Sequence, residues 1–291
     1  MALSVVVISY NAGRLAECLE RLTRQPDAAE IIVSDCSDRD PAGTLASQFP
    51  RVRFLHFTEK RSVPQLRWAG VRQSTGDLVA TLEARTMPAE DWCAVLSRAH
   101  AAHPDAPVVG GPVALLAPGS PHDEGLYFCE YGAFAPPIDA GPVASLSGAN
   151  LSYRRQALEA ARDLVDAGRW ETPLHERWRA EGRPLVLSTA TVLFENAMPA
   201  STAIRQRFAY GRGYAAVRVE GAGWMRRAAY AAFCPALPVL MTARLIQSLR
   251  YKKLWSRFWR ALPWILVFNS AWAAGECVGY LAGESGAVEN F

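Results

Sequence analysis

Four short strand-like runs, the first of them apolar and β-branched, divide the first hundred residues, and each leads into a stretch of helical periodicity. The runs are Ser4–Ser9, Glu30–Ser34, Val52–His56 and Leu78–Leu82. Apolar residues recur at helical spacing in Arg14–Gln25, Thr44–Phe49, Gln65–Gln73 and Ala89–Ala102, with Leu15, Cys18, Leu19 and Leu22 forming the first stripe. Strands alternating with helices predict βαβ units, and hence an α/β, Rossmann-like fold with a mostly parallel sheet flanked by helices. Such sheets bind ligands beyond the carboxyl ends of their strands. Asn11, Asp35 and Glu83 fall at those ends.

The pattern loosens over Pro104–Pro142, which is rich in Gly and Pro. It resumes with a strand end and turn over Ser145–Arg155, helices over Arg155–Ala167 and Trp170–Gly182, a strand over Leu185–Phe194 and a helix over Ser201–Val219. Beyond Gly221 the composition changes. Ala228–Ala243 carries no charge, Arg244–Arg260 holds six basic residues and no acidic one, and Ala261–Gly283 has the single charge Glu276. Residues 1–200 carry 19 basic and 24 acidic side chains, whereas 201–291 carry 12 and 4. This asymmetry points to a basic C-terminal surface that meets something anionic. The expected division is a first domain over 1–219 and a membrane-associating helical region over 220–291.

Several classes fall away. The six cysteines form no Cys-X-X-Cys pair, so neither a zinc ribbon nor a dithiol redox motif is supported, and reduced thiols are expected. The start, Met1-Ala2-Leu3-Ser4, lacks a basic stretch and a cleavage site, so no secretory signal is expected. No Gly-X-Gly-X-X-Gly follows the first strand, and no Walker or Gly-X-Ser-X-Gly motif occurs. His100 and His103 share a helix face without a third ligand nearby and read as a solvated pair. No nucleic-acid partner is expected.

A set of short pieces in fixed order resembles family 2 glycosyltransferases of the GT-A fold. The pieces are Val6-Val7-Ile8-Ser9-Tyr10-Asn11, Glu30 to Ser37, Arg67-Trp68-Ala69-Gly70, Ser74 to Leu78, Glu83-Ala84-Arg85, Ser147 to Leu151, Trp170-Glu171, and Arg205 to Gly213. The resemblance covers roughly residues 3–219. It implies a nucleotide-sugar donor, with Asp35 reading the base, Ser9, Tyr10 and Asn11 lining its pocket, and Glu83 and Ala84 near the ribose. A plain capping role for Asp35 or Ser37 is the competing reading.

Glu83-Ala84-Arg85 departs from the family's Asp-X-Asp. Arg85 stands where a metal-binding carboxylate would be, and a cation cannot ligate a cation. A guanidinium can instead pair with diphosphate oxygens through its fork of donors. The expectation is therefore metal-independent leaving-group stabilisation by Arg85, with Arg67 assisting. The alternatives are Mg²⁺ or Mn²⁺ held by Glu83 together with the donor diphosphate, or a site that binds without catalysing. For Arg67 an ordinary exposed helix arginine is the rival reading.

The resemblance makes Glu171 the general base, which takes the proton of an acceptor hydroxyl in a single displacement that inverts the anomeric centre. A carboxylate favoured at a helix start is the alternative. Gly148, Asn150 and Trp170 are the matching acceptor-side residues. Arg205, Arg207 and Arg212 either close over donor phosphates or lie on anionic lipid.

Tyr251, Leu254, Trp255, Phe258, Trp259 and Leu262 line one side of a segment whose other side is Lys252, Lys253, Arg257 and Arg260. That is the pattern of a basic interfacial helix. Basic segments and cytosolic donor sugars both favour the inner face. The expected protein sits on the cytoplasmic face of a bacterial inner membrane, monotopic or with one or two C-terminal membrane segments. It would pass a sugar from a UDP-sugar to a polyprenyl-linked or other lipid acceptor in surface polysaccharide or glycolipid assembly. A polyprenyl-phosphate glycosyltransferase and a non-catalytic scaffold of the same fold are the rivals. Glu276 would be costly in lipid and is expected to face protein or headgroups.

Overall fold

The apolar runs become β1 (Leu3–Ser9), β2 (Ala28–Asp35), β3 (Val52–His56) and β4 (Leu78–Glu83), linked by α1 (Leu15–Thr23), α2 (Ala42–Leu45) and α3 (Val63–Gln73). Next come β5 (Thr86–Pro88), α4 (Trp92–Ala102), β6 (Val108–Gly110), β7 (Val113–Leu115), α5 (Pro121–Tyr131), β8 (Gly141–Val143) and β9 (Leu151–Arg154). The remainder is α6 (Arg155–Ala160), α7 (Arg162–Asp166), α8 (Thr172–Ala180), β10 (Leu185–Leu187), β11 (Val192–Phe194), α9 (Ala200–Arg218), α10 (Trp224–Phe233), α11 (Leu237–Leu249) and α12 (Trp255–Ala282). This computed structural model describes residues 1–117, 119–195 and 198–282. Residues 1–116 and 134–194 form one compact unit, and residues 117–133 and 195–291 a second. The expected boundary at residue 219 falls between α9 and α10, inside the second unit.

In the first unit, all seven residues of β1 are buried, as a strand covered on both faces requires. β1 pairs in parallel with β2 and with β4. The eight-stranded sheet runs β3-β2-β1-β4-β9-β6-β10-β8, with β9 antiparallel to both neighbours. A smaller sheet runs β5-β11-β7. The strand order reverses direction at β1, where a doubly wound sheet opens its crevice. Leu15, Cys18, Leu19 and Leu22 are the buried face of α1, as their spacing implies. Ser62 and Gln65 form a capping box that starts α3, with Pro64 in its first turn.

Several sequence expectations need correction. Thr44–Phe49 is not a helix of that extent; α2 is a single turn ending at Leu45. Arg155–Ala167 breaks at Ala161 into α6 and α7. Leu185–Phe194 is two strands in two different sheets, because Ser188 turns the chain and its hydroxyl donates to the Gly110 carbonyl at 2.7 Å. The Gly/Pro-rich middle contains β6, β7, α5 and β8.

The second unit is helical. α12 packs along α9 and across α5. Gly211 lies against the Trp272 carbonyl, Gly275 against that of Phe208 and Gly279 against that of Arg212, so the two backbones touch at three successive levels. Trp224–Leu249 and Trp255–Ala282 are long and apolar enough, by length and composition, to cross a membrane. Trp224, Met225, Phe233, Val239, Trp259 and Leu281 are exposed. The expected basic helix is interrupted: residues 250–254 are not helical, and the Lys252 amine is buried, donating to the Gly132 and Ala133 carbonyls at 3.2 and 2.9 Å. Burial lowers its pKa to about 8. Glu276 is buried among protein groups, accepting from the Trp272 indole and, at 2.8 Å, from the Tyr280 hydroxyl. Gly283, the expected end of the last apolar run, lies outside the described residues, as do 284–291.

Candidate active site

The strand register sets Ser9, Asp35 and His56 in one row at the sheet's carboxyl edge, Ser9 pairing with Asp35 and Asp35 with His56. Glu83 pairs with Ile8 and so ends β4 one rung away from that row. Asp35 is buried. It accepts from the Ser37 hydroxyl at 2.6 Å and the Ser37 N–H at 2.9 Å, and pairs with His56 Nδ1 at 2.9 Å. A carboxylate has about four lone-pair sites. Three are taken, which leaves one for a further donor. Asp35 caps no helix; α2 starts after Pro41, beyond the loop. His56 carries no motif and was missed from sequence. The one clue to it is its place at the end of the third strand.

Asn11 has a positive φ of 47°, a conformation Asn tolerates better than most residues. Its N–H donates to Ser37 Oγ at 2.7 Å and its side-chain amide to Asp38 Oδ2 at 3.0 Å. It ties the loop after β1 to the loop after β2. Tyr10 packs with Ile8, Cys36, Leu66, Phe57 and Val63 beside them.

Glu83, Arg85, Arg67 and Glu171 form a ladder of alternating charge. Arg85 Nε donates to Glu83 Oε2 at 2.7 Å, and its guanidinium stands 5.1 Å from the Phe194 ring centre. Arg67 Nη2 lies 3.9 Å from Glu83 Oε1. Arg67 Nη1 is paired with Glu171 Oε1, and Nη2 donates to the Gly148 carbonyl at 3.0 Å. Arg67 is thus buried, at 3% exposure, and not the exposed helix residue that was its rival reading. Burial works against its charge, but Glu171, Tyr153 and Glu83 outweigh burial and raise its pKa. Glu83 follows the same logic: burial pushes its pKa up, and Arg85 with Arg67 brings it below the ordinary value.

Glu171 has φ 53°, a strained position for a non-glycine residue, immediately before α8. A Cβ at Gly148 would fall on its carboxylate. Gly148 therefore makes room for Glu171. Trp170 is buried, with its indole donating to the Tyr153 hydroxyl at 3.0 Å and its ring against Trp68. Asn150 is fully buried: its amide donates to the Pro112 and Ala190 carbonyls and accepts from the Trp92 indole. These bonds brace the loop and do not bring Asn150 to the site surface. Ala84 is buried, with its N–H bonded to the Ile8 carbonyl at 2.9 Å. His175, one turn into α8, is also unannounced by any motif; it is buried and its Nε2 has no hydrogen-bond partner. Arg205, Arg207 and Arg212 stand on α9, in the second unit.

The residues at Glu83 do not by themselves fit a divalent cation. Glu83 is the carboxylate of that segment and its two oxygens face Arg85 and Arg67, while Glu171, the other acid of the ladder, is paired with Arg67. Among the described residues no group of three or more His, Cys, Asp or Glu could hold a metal ion.

Residues 4–160 match the family model described as Glycosyl transferase family 2. No curated protein matches the chain. Among solved structures it is similar to mannosyltransferase PcManGT from Pyrobaculum calidifontis in complex with GDP-Man and Mn2+, at 18% identity and TM-score 0.58, over 94% of this chain and 86% of that one. It is similar to S. aureus TarS 1-349 at 13% identity and TM-score 0.51, over 92% of this chain and 90% of that one. GalNAc-T7 with UDP, GalNAc and Mn2+ aligns at 13% identity and TM-score 0.51, over 68% of this chain and 44% of that one. The likeness is one of fold, and the fold is GT-A.

Proposed function

Because the chain belongs to glycosyl transferase family 2, we propose that it moves a sugar from a UDP-sugar to a hydroxyl of a lipid-linked glycan, with inversion at the anomeric carbon. The observation that carries this reading is the ladder Arg85–Glu83–Arg67–Glu171, which runs from the end of β4 to the start of α8.

Asp35 has one lone-pair site left to accept a base N–H, with Tyr10 beside it and Ser9 in the same row. Glu83 meets the ribose. Arg85 takes the diphosphate oxygens with its planar fork, and Arg67 adds positive charge from below. Glu171 accepts the proton of the acceptor hydroxyl as that oxygen bonds to the anomeric carbon. The bond from that carbon to the phosphate oxygen breaks, and the nucleoside diphosphate leaves with the electron pair. A phosphate acceptor is already ionised and would need no base, so a carboxylate at position 171 favours a hydroxyl.

The exposed aromatics and apolar faces of α10–α12 support attachment to the cytoplasmic face of a bacterial inner membrane, where such an acceptor would reside. A second reading keeps the transfer but adds Mn²⁺ or Mg²⁺ on Glu83 and the donor diphosphate. It is favoured by the Mn2+ in two of the similar structures.

Calorimetric binding of UDP and GDP to detergent-purified protein, with Mn²⁺ or with EDTA, tests both. UDP binding that survives EDTA is expected. UDP binding only with Mn²⁺ would keep the enzyme and remove the metal-free donor site. Preference for GDP would replace the base assignment. Absence of nucleotide binding would leave a non-catalytic scaffold.

A further inference from the structure

Tyr153 is fully buried near the middle of the large sheet, where β9 pairs it with Val79 of β4 on one side and Val108 of β6 on the other. Its ring stands edge-on to Trp170 at 5.7 Å and lies 6.0 Å from Trp178. Among the described residues its hydroxyl has one hydrogen-bond partner, the Trp170 indole N–H. Phenylalanine would fill the same space without burying an oxygen. Burying a hydroxyl and an indole N–H costs free energy that their mutual bond returns with only a modest surplus. What the bond adds is a fixed distance between two points of the core.

One of those points adjoins a strained residue. Trp170 precedes Glu171, whose φ of 53° persists only where the surroundings over-determine it. Helix α8 does not supply that constraint alone. Glu171 stands at its N-cap, but its side chain caps nothing, and the helix holds only its carbonyl, through the His175 N–H at 2.8 Å. On the other side is Trp170, packed against Trp68 at 6.5 Å and tied to Tyr153. The phenol is also within electrostatic reach of the ion pair. Burial raises its pKa and keeps it neutral, with Arg67 opposing and Glu171 reinforcing the shift.

We propose that Tyr153 is a positioning residue for Glu171: its hydroxyl pins Trp170 to the sheet, and the Trp170–Glu171 peptide passes that constraint to the carboxylate paired with Arg67. Tyr153 touches no reacting atom in this role. Its meaning for catalysis rests on the general-base reading above; the positioning itself does not.

The test is a double-mutant cycle of Arg67→Met and Glu171→Gln by urea unfolding, run in the wild-type chain and again in Tyr153→Phe. Phenylalanine keeps the ring and removes only the oxygen. The coupling between Arg67 and Glu171 is expected to lose most of its size in that background. Trp170→Phe removes the other end of the same bond. It is expected to give the same fall, and it carries the test should Tyr153→Phe not fold. A merely structural pair would lower every stability in the cycle together and leave the coupling whole, and that result in either background overturns the role. So does an absence of coupling in the wild-type chain, where there would be no pair to position. In turnover Tyr153→Phe is expected to lose about tenfold in kcat, with KM for the donor unchanged. An unchanged kcat, or a loss confined to KM, overturns the role as well. The unfolding measurements need no transferase activity, and UDP binding reports separately on the donor site, so failure of the transferase reading and failure of this one are distinguishable.

Discussion

The carboxylate of Glu171 fills the space that a side chain at position 148 would need. Those two residues are 23 positions apart, and each explains an oddity of the other. Glycine at 148 admits the carboxylate, and the strained φ of 53° at Glu171 delivers it there. The Gly148 carbonyl also holds Arg67 at 3.0 Å, so one peptide unit sets both members of the ion pair.

Gly148→Ala should therefore act as a catalytic lesion without touching the donor. Displacing a reacting group by about 1 Å can lower a rate on the order of 100-fold. We expect a kcat loss of about that size, with UDP affinity unchanged by calorimetry. A parallel loss of UDP binding would place Gly148 in the donor site instead.

Arg67 and Glu171 should be energetically coupled. Their contact is half-covered, with 4% and 35% of the side chains exposed, so a coupling of about 1–2 kcal/mol is expected in a double-mutant cycle of Arg67→Met and Glu171→Gln. Urea denaturation measures it. In turnover assays Glu171→Gln alone should lose about 10²–10⁴-fold, the usual range for a general base. A loss below tenfold would favour an ionised phosphate acceptor.

Arg85 should be exchangeable for a metal. Arg85→Ala is expected to lose activity whether or not Mn²⁺ is present. Arg85→Asp makes the segment Glu-Ala-Asp and supplies a second carboxylate, so Mn²⁺ should restore part of its rate. Restoration of Arg85→Ala by Mn²⁺ to the wild-type level would show that Glu83 alone suffices.

Stability should fall in mild acid because of two neutral histidines. Burial pushes His100, with Arg154 adding to it, and His175 down to about 4. The unfolded chain takes up these protons near the ordinary value of about 6.5, whereas the folded one does not. Stability is thus fully present above about pH 6.5 and is lost as pH falls toward 4, at up to about 1.4 kcal/mol per unit for each histidine. Melting from pH 7.5 to 4.5 should show the slope, and His175→Phe should make it shallower. An unchanged slope in that variant would remove His175 from the account.

β1 and β4 were legible because each is an almost continuous apolar run ending in a polar residue, a pattern that a doubly covered parallel strand imposes, and β2 and β3 because short apolar stretches end at Asp35 and His56 between helical periods. β6, β7, β8, β10 and β11 were not, since three-residue strands leave no period to read, and Leu185–Phe194 looks like one strand although its halves serve two sheets. Glu83, Arg67 and Glu171 were found through short motifs. Their mutual contact was not, because Arg67 and Glu171 lie 104 residues apart and only the sheet brings them together. Asn150 and Trp170 shared those motifs for a different reason: they brace the loop and helix start that carry Gly148 and Glu171. His56 was invisible because a lone histidine at a strand end has no spacing to betray it.

The touching backbones of α9 and α12 bear on how this protein can be handled at the bench. Shortening a membrane-attached chain ahead of its last apolar helix is a common way to obtain a soluble form. Here a chain cut before Trp255 would uncover the Phe208 and Arg212 carbonyl ridge of α9 along with Gly211, a surface shaped for another helix. Such a fragment should self-associate. Detergent, or polar replacements at the outward-facing Trp224, Phe233 and Leu281, leaves that seam closed and is the better route to a well-behaved sample.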